Sequence, residues 1–200
     1  MLRTLLLLLS LAAPLALADD AALIAGVFTP ARLAPEFTLR GSDGKDLNLS
    51  RYRGKVVLLA FGYTSCTEVC PVTLSILAQA RRKLGAQAGE VQVVYITVDP
   101  ERDSIARMHS YLTGFDPGFM GGTGTAEQLA AVRGAYGITV GNKMPMPGGY
   151  LLSHSSFTYL IDREGRLRAL MPFGHDAADF VHDVRLLLQP SVTANAQQGG

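Results

Sequence analysis

Six consecutive apolar residues, Val56–Phe61, stand between Gly54-Lys55 and Gly62. A run this short, rich in β-formers and unbroken by polar positions, is a strand buried on both faces, so the fold must supply a covering layer on each side of it. Val91–Val98 is a second strand of the same kind. Between the two, Leu74, Leu77, Ala78 and Leu84 recur at helical spacing, with Pro71 suited to the first helical position and Gly85 to the stop. The front half is therefore a βαβ unit with its central strand at Val56–Phe61.

The flanking segments complete the layers. Phe37, Leu39, Leu47 and Leu49 alternate with polar residues around Gly41-Ser42-Asp43-Gly44, the pattern of a peripheral β-hairpin. After the turn Asp99-Pro100 a helix is expected over Ser104–Leu112, and Phe119-Met120 reads as a short edge strand. Thr125 and Gln128 form a capping box for a helix bearing Leu129, Val132 and Tyr136, which Gly137 ends. The glycine- and proline-rich stretch Gly137–Gly149 reads as a crossing to Ser156–Ile161, which pairs antiparallel with Arg166–Leu170. A last helix, from Asp176 or Ala177 to Leu188, carries Phe180, Val184 and Leu187 on one face. This order predicts an α/β, thioredoxin-like mixed sheet flanked by helices, with an additional N-terminal β-hairpin. The domain is placed at residues 36–189, after an extended lead-in at 19–35 and before a flexible tail at 190–200.

Composition separates the leader from the folded chain. Apolar residues make up 48% and charged residues 18%, as in globular proteins, but much of the apolar excess is the run Leu5–Leu17. Arg3 before it and Ala16-Leu17-Ala18 at its end make residues 1–18 a secretory signal peptide. The run is broken by Pro14 and is short of the ~20 residues a spanning helix needs, although an uncleaved leader would tie the protein to a membrane. Cleavage after Ala18 leaves 17 basic and 17 acidic side chains, a balance that excludes nucleic acid as a partner.

Export gives the two cysteines their meaning, since an oxidising compartment favours disulfides. A bridge between Cys66 and Cys70 would close a loop of only about five residues and would restrain the unfolded chain little. Chemistry is the better reason for the pair. Both thiols fall between a buried strand and a helix, where free N–H groups and the positive end of the helix dipole favour the thiolate that binds metal or attacks a disulfide. Pro71 disfavours helical geometry at Cys70, which places Cys70 near the cap and Cys66 in the loop. Three intervening residues give a looser bite than the two of simple disulfide-exchange motifs, and two thiolates with one neutral imidazole suit monovalent copper. Among the four histidines, His154 stands in the loop ahead of a buried strand that this fold brings up beside the cysteines, whereas His109, His175 and His182 sit in polar, helical surroundings.

The sequence Gly-Tyr-Thr-Ser-Cys-Thr-Glu-Val-Cys-Pro from Gly62, Val-Asp-Pro-Glu-Arg-Asp from Val98, Thr-Gly-Thr from Thr123 and Ser-His-Ser-Ser-Phe-Thr-Tyr-Leu-Ile-Asp from Ser153 together resemble the SCO/SenC family. The likeness runs from about Pro35 to Leu188. It implies a periplasmic or membrane-associated copper chaperone that binds one ion, Cu(I) favoured, through Cys66, Cys70 and His154. It further implies delivery to the binuclear copper site of cytochrome c oxidase. The partners would be that copper-site subunit or another apo copper protein, together with other periplasmic copper carriers. The chain departs from the family's usual pattern in two places: Thr67-Glu68 replaces Pro-Asp after the first cysteine, and Ser153 replaces Asp before the histidine.

Two function classes follow. A metallochaperone, not an enzyme, needs all three ligands, while a thiol-disulfide oxidoreductase that reduces the cysteines of a copper-site partner needs Cys66 and Cys70 alone. A peroxidase would prefer threonine where Tyr63 stands. Met144 and Met146 add thioether sulfurs shortly before His154, suited either to handing on copper or to an apolar contact. The charged turn Asp99, Glu101, Arg102 and Asp103 reads as a helix start.

Overall fold

The computed structural model describes residues 22–190. The leader at 1–18, the start of the lead-in and the tail from 191 onward lie outside these residues. An eight-stranded sheet forms the body, in the order β1-β10-β9-β4-β5-β6-β2-β3. Its strands are β1 (Gly26–Leu33), β2 (Thr38–Gly41), β3 (Asp46–Asn48), β4 (Val56–Gly62), β5 (Val91–Thr97), β6 (Met120–Thr123), β9 (Phe157–Ile161) and β10 (Arg166–Pro172). Strands β7 (Val140–Met146) and β8 (Gly149–His154) form a separate antiparallel ribbon. The helices are α1 (Val69–Leu84), α2 (Ile105–Thr113), α3 (Ala126–Tyr136) and α4 (Ala177–Leu188).

Every residue of β4 is buried, as its unbroken apolar run requires, and β4 pairs parallel with β5 and antiparallel with β9. Its two faces meet different layers. Gly62 lies against Cys70 of α1, and Gly121, on the same side of the sheet, lies against Met108 and Leu112 of α2. On the opposite side Phe61 packs against Tyr136 of α3 and Tyr159, with ring centroids 5.7 and 6.3 Å apart. Helix α4 lies against α1. Burial of this core supplies the main driving force, about 25 cal/mol for each Å² of apolar surface removed from water. The arrangement is thioredoxin-like, with helices on both faces of a mixed sheet.

Several expectations hold residue by residue. Ser104 caps α2 by accepting from the Arg107 N–H, and Thr125 and Gln128 form their capping box at α3, which ends at left-handed Gly137. Asp176 caps α4. The hairpin β2–β3 forms in the register set by Leu39 opposite Leu47.

Others need correcting. The lead-in is not merely extended: Gly26–Leu33 is an edge strand paired with β10, and it went unread because almost every residue in it is exposed and leaves no burial pattern. The strand near Phe119-Met120 is not at an edge, because the hairpin docks through β2 onto β6. That contact uses glycine: a Cβ on Gly122 would stand 2.9 Å from a Leu47 methyl. The Gly137–Gly149 crossing is largely the ribbon β7–β8, whose exposed β7 shows no alternation of apolar and polar residues. Helix α1 begins at Val69 with Glu68 as its cap, two residues before Pro71. Proline is tolerated there because N–H groups of a first helical turn have no partner within the helix to lose.

The edge strand is pinned from beneath. Asp183 of α4 is fully buried, and its carboxylate accepts the N–H groups of Ile24 and Ala25 at 2.8 and 2.9 Å. Asp183→Ala strands two backbone donors, and we expect a loss of about 1–3 kcal/mol in urea unfolding with faster hydrogen exchange at both amides. Unchanged exchange there would mean that pairing with β10 alone holds the segment.

Candidate metal centre

The site is built at the carboxyl end of β4 and the amino end of α1. Gly62 ends the strand, Tyr63–Glu68 turn across its tip, and Cys70 is the second residue of the helix. Both cysteines are free thiols, Cys66 half-buried in the loop and Cys70 buried in the first helical turn. His154 closes β8, and its Nε2 lies 3.4 Å from the Cys70 sulfur. Its Nδ1 is 2.9 Å from the Ser155 carbonyl oxygen, which can only accept. Nδ1 therefore carries the proton, and Nε2 presents its lone pair to the thiols.

The two thiols are unlike. The neighbouring Cys70 side chain and the backbone N–H groups of Cys70 and Glu68 favour the Cys66 thiolate and pull its pKa down to about 5 against the opposing effect of burial. The neighbouring Cys66 side chain, together with burial, pushes Cys70 strongly up. Cys66 is thus the thiolate, resting on the N-terminus of α1, and Cys70 keeps its proton and faces His154 Nε2. Two sulfurs and one imidazole nitrogen are soft and borderline donors that fit a monovalent copper ion. Among the described residues, no three His, Cys, Asp or Glu side chains already stand in a ligand cluster. The contact in place is that of Cys70 with His154, while Cys66 stands half-buried in the loop beside them.

Three features around this centre escaped the sequence. Tyr63 is buried, its hydroxyl accepts the Leu152 N–H at 3.1 Å, and its ring meets the His154 ring edge-on at 5.9 Å. Tyr95 is buried on β5, and its hydroxyl makes no formed hydrogen bond. It stands beside the Cys70 sulfur, in the space a Cβ on Gly62 would take: that carbon would lie 2.0 Å from the hydroxyl and 2.8 Å from the sulfur. Both tyrosines sit in or beside apolar strands and read as core.

The third feature is the charged turn after β5. Asp103 is fully buried and accepts Thr64 N–H at 3.0 Å, Thr64 Oγ1–H at 2.5 Å and Thr97 Oγ1–H at 2.6 Å. Arg107 donates to Thr64 Oγ1 and Ser65 Oγ. Asp99 accepts from Arg102 Nε and from the Tyr150 hydroxyl, Arg102 also donates to the Tyr150 carbonyl, and its guanidinium lies 3.7 Å from the centre of the Tyr150 ring. Lys143 pairs with Glu101. More than a helix start, this turn ties both the cysteine loop and the ribbon to the body.

The ribbon's register sorts its side chains. Lys143 pairs with Leu152 and Pro145 with Tyr150, so these share with His154 the face turned to the body, while Met144, Met146 and Leu151 take the other. A cleft of about 280 Å³ lies between loop and ribbon, lined by Cys66–Val69 on one side and Met144, Leu151–His154 on the other. The remaining histidines stay away from it: His109 is exposed, His175 pairs with Asp179, and His182 with Asp183.

Comparison with known proteins agrees with the fold. The family model described as SCO1/SenC matches residues 27–189. The chain is 40% identical over 134 residues to the mitochondrial protein SCO2 homolog of Bos taurus, covering 65% of this chain and half the length of that relative. Its structure is similar to that of Arabidopsis thaliana ScoI with copper bound, at a TM-score of 0.73 and 31% identity, covering 78% of this chain and 98% of the other. It is likewise similar to Bradyrhizobium japonicum ScoI with copper bound, at 0.71 and 33%, covering 78% and 99%.

Two measurements test the thiol arrangement. Alkylation by iodoacetamide should modify Cys66 first, with a rate that rises through about pH 5 and is flat by neutrality, while Cys70 stays protected; equal rates at both thiols would contradict this asymmetry. Tyr95→Phe keeps the ring and removes a donor that only the reduced sulfur can use well. The hydroxyl stands beside the Cys70 sulfur without a formed bond, so an interaction with the reduced thiol worth about 1 kcal/mol corresponds to a midpoint about 20 mV more reducing in dithiothreitol buffers, and an unmoved midpoint would make the tyrosine simple packing.

Proposed function

The chain belongs to the SCO1/SenC family, and from that membership we propose that it is an exported, periplasmic copper carrier whose cargo is held by Cys66, Cys70 and His154. The observation that carries the reading is the contact between His154 Nε2 and the Cys70 sulfur, with the tautomer fixed by Ser155. Disulfide exchange has no need of a third donor there; a trigonal copper site does. The copper-bound relatives support the same assignment. The acceptor we infer is the binuclear copper site of cytochrome c oxidase or another apo copper protein, reached by ligand exchange without breaking any bond in a substrate. Among the described residues no helix is long and apolar enough to cross a membrane.

In this mechanism each residue of the chain has a distinct task. Cys66 enters as a thiolate, so the first bond to an arriving cation needs no deprotonation. Cys70 gives up its proton on binding, and His154 supplies a neutral nitrogen already aimed at the sulfur. Oxidation of the two thiols to a disulfide would remove both anionic donors, so cargo and redox state are coupled.

The asymmetry of the thiols favours a second reading. A half-exposed Cys66 thiolate can attack a partner's disulfide, and Cys70, deprotonated as it attacks, can resolve the mixed disulfide, leaving the partner with two thiols and this chain with a Cys66–Cys70 bridge. That activity would prepare the cysteines of the acceptor.

The deciding experiment is an anaerobic titration of the reduced protein with Cu(I) against bicinchoninate. We expect one tightly held equivalent, a loss of affinity of about a hundredfold or more in His154→Ala, and no tight binding in Cys66→Ser or Cys70→Ser. Disulfide exchange should be nearly unchanged in His154→Ala. Equal affinity in that variant would remove the histidine from the site, and no tight copper in the native protein would leave the reductase reading.

A further inference from the structure

The two methionines of β7 are set apart from the others among the described residues. Met108 and Met171 are fully buried and Met120 packs against the core, whereas Met144 and Met146 are 49% and 41% exposed. Unbroken pairing of Met144 with Leu151, Pro145 with Tyr150 and Met146 with Gly149 puts both thioethers on the outer face of the ribbon. They are two residues apart, about 7 Å along the strand. The inner neighbour, Met144, lines the same cleft as Cys66, Glu68 and His154, and the outer one stands at the ribbon's tip beside the turn at Gly148. A large apolar side chain exposed beside a metal-binding cleft gains nothing from packing, but a thioether is a soft, neutral donor matched to monovalent copper.

We propose that Met144 is an additional copper ligand, used while the ion enters and leaves the cleft, with Met146 as the next donor outward. This rests on the copper-carrier reading of Cys66, Cys70 and His154. A closed site of two thiolates and an imidazole must lose one donor before an acceptor can take the ion. Met144 supplies a replacement: the Cu–Sδ bond forms as the bond to His154 Nε2 breaks. One neutral donor replaces another, copper stays monovalent, and no proton or electron moves. The thiolates remain bound during this step, so no charge is separated in the cleft. The clamped face of the ribbon holds His154 in place, and the free face carries the donors for exchange.

The test compares the reduced native protein with Met144→Leu and Met146→Leu, substitutions that keep bulk and remove sulfur. Each is loaded with one equivalent of Cu(I), and its removal by excess bicinchoninate is followed by stopped flow. Beside this, the methionine methyl resonances of 13C-methyl-labelled native protein are followed on adding Ag(I). The proposal expects release about tenfold slower in Met144→Leu, a smaller effect in Met146→Leu, unchanged equilibrium affinity in both, and exchange broadening or a shift of the Met144 methyl as Ag(I) exceeds one equivalent. Release at the native rate overturns it. So does a silent Met144 methyl, which would reduce any slowing to a change of shape. If the native protein takes up no tight copper, the carrier reading itself has failed; tight copper with unaltered release removes Met144 alone.

Discussion

Asp103 is a carboxylate with no exposure to solvent, and the geometry of the cysteine loop follows from how that charge is met. A buried charge is tolerated only when hydrogen bonds replace its lost water. Here the donors come from Thr64 in the loop after β4 and from Thr97 at the end of β5, with Arg107 of α2 3.9 Å away. The loop, the end of β5 and the start of α2 are thereby joined just ahead of Cys66. Ser65 is held by Arg107 and Cys66 N–H by the Tyr63 carbonyl, so the chain is fixed up to the first cysteine and becomes exposed only at Thr67 and Glu68. The absence of the family's proline at position 67 thus falls where the loop is open, and the approach to the cysteine is held by other means.

Asp99, four residues earlier, does the corresponding job for the histidine. Through Arg102 and the Tyr150 hydroxyl it grips the ribbon at Tyr150, two strand positions before Leu152, whose N–H is in turn taken by Tyr63. Burial and the hydrogen bond to Asp99 push Tyr150 up to about 12, so its hydroxyl remains a donor across the physiological range. One short turn therefore positions both halves of the site, the cysteines through Asp103 and the histidine through Asp99. The ribbon lies outside the main sheet, and these ties, with the Lys143–Glu101 pair and the contact of His154 with Cys70, hold it to the body.

The parts of this fold that were legible in the sequence are those where burial imposes a period. The continuous runs of β4 and β5, the helical spacing in α1 and the caps at Ser104, Thr125 and Asp176 each answer to one local rule. What escaped was structure without a burial signature: β1 and β7, which are almost wholly exposed, and β6, whose glycines make room for neighbours rather than contributing side chains. The candidate ligands were legible because thiols and an imidazole have few structural uses in such places. Their supports were not. Tyr63 and Tyr95 belong by composition to the core, and Asp99 and Asp103 look like helix-start charges until the structure reveals them to be buried.

The serine before His154 bears on what a carboxylate at that position could contribute. The imidazole's orientation is already determined, since Nδ1–H is donated to the Ser155 carbonyl and the ring edge rests on Tyr63. A carboxylate at Ser153, which is exposed on the wall of the cleft, would add a negative charge at the mouth rather than a hydrogen bond that aims the ring. Its loss therefore acts on what approaches the site: an incoming cation or a cationic partner meets a less negative entrance, while the donor geometry stays as it is. In this chain the sulfur of Met144 stands on that same wall, so under the ligation proposed above attraction at the entrance would shift from charge, which draws any cation, to a soft thioether matched to monovalent copper.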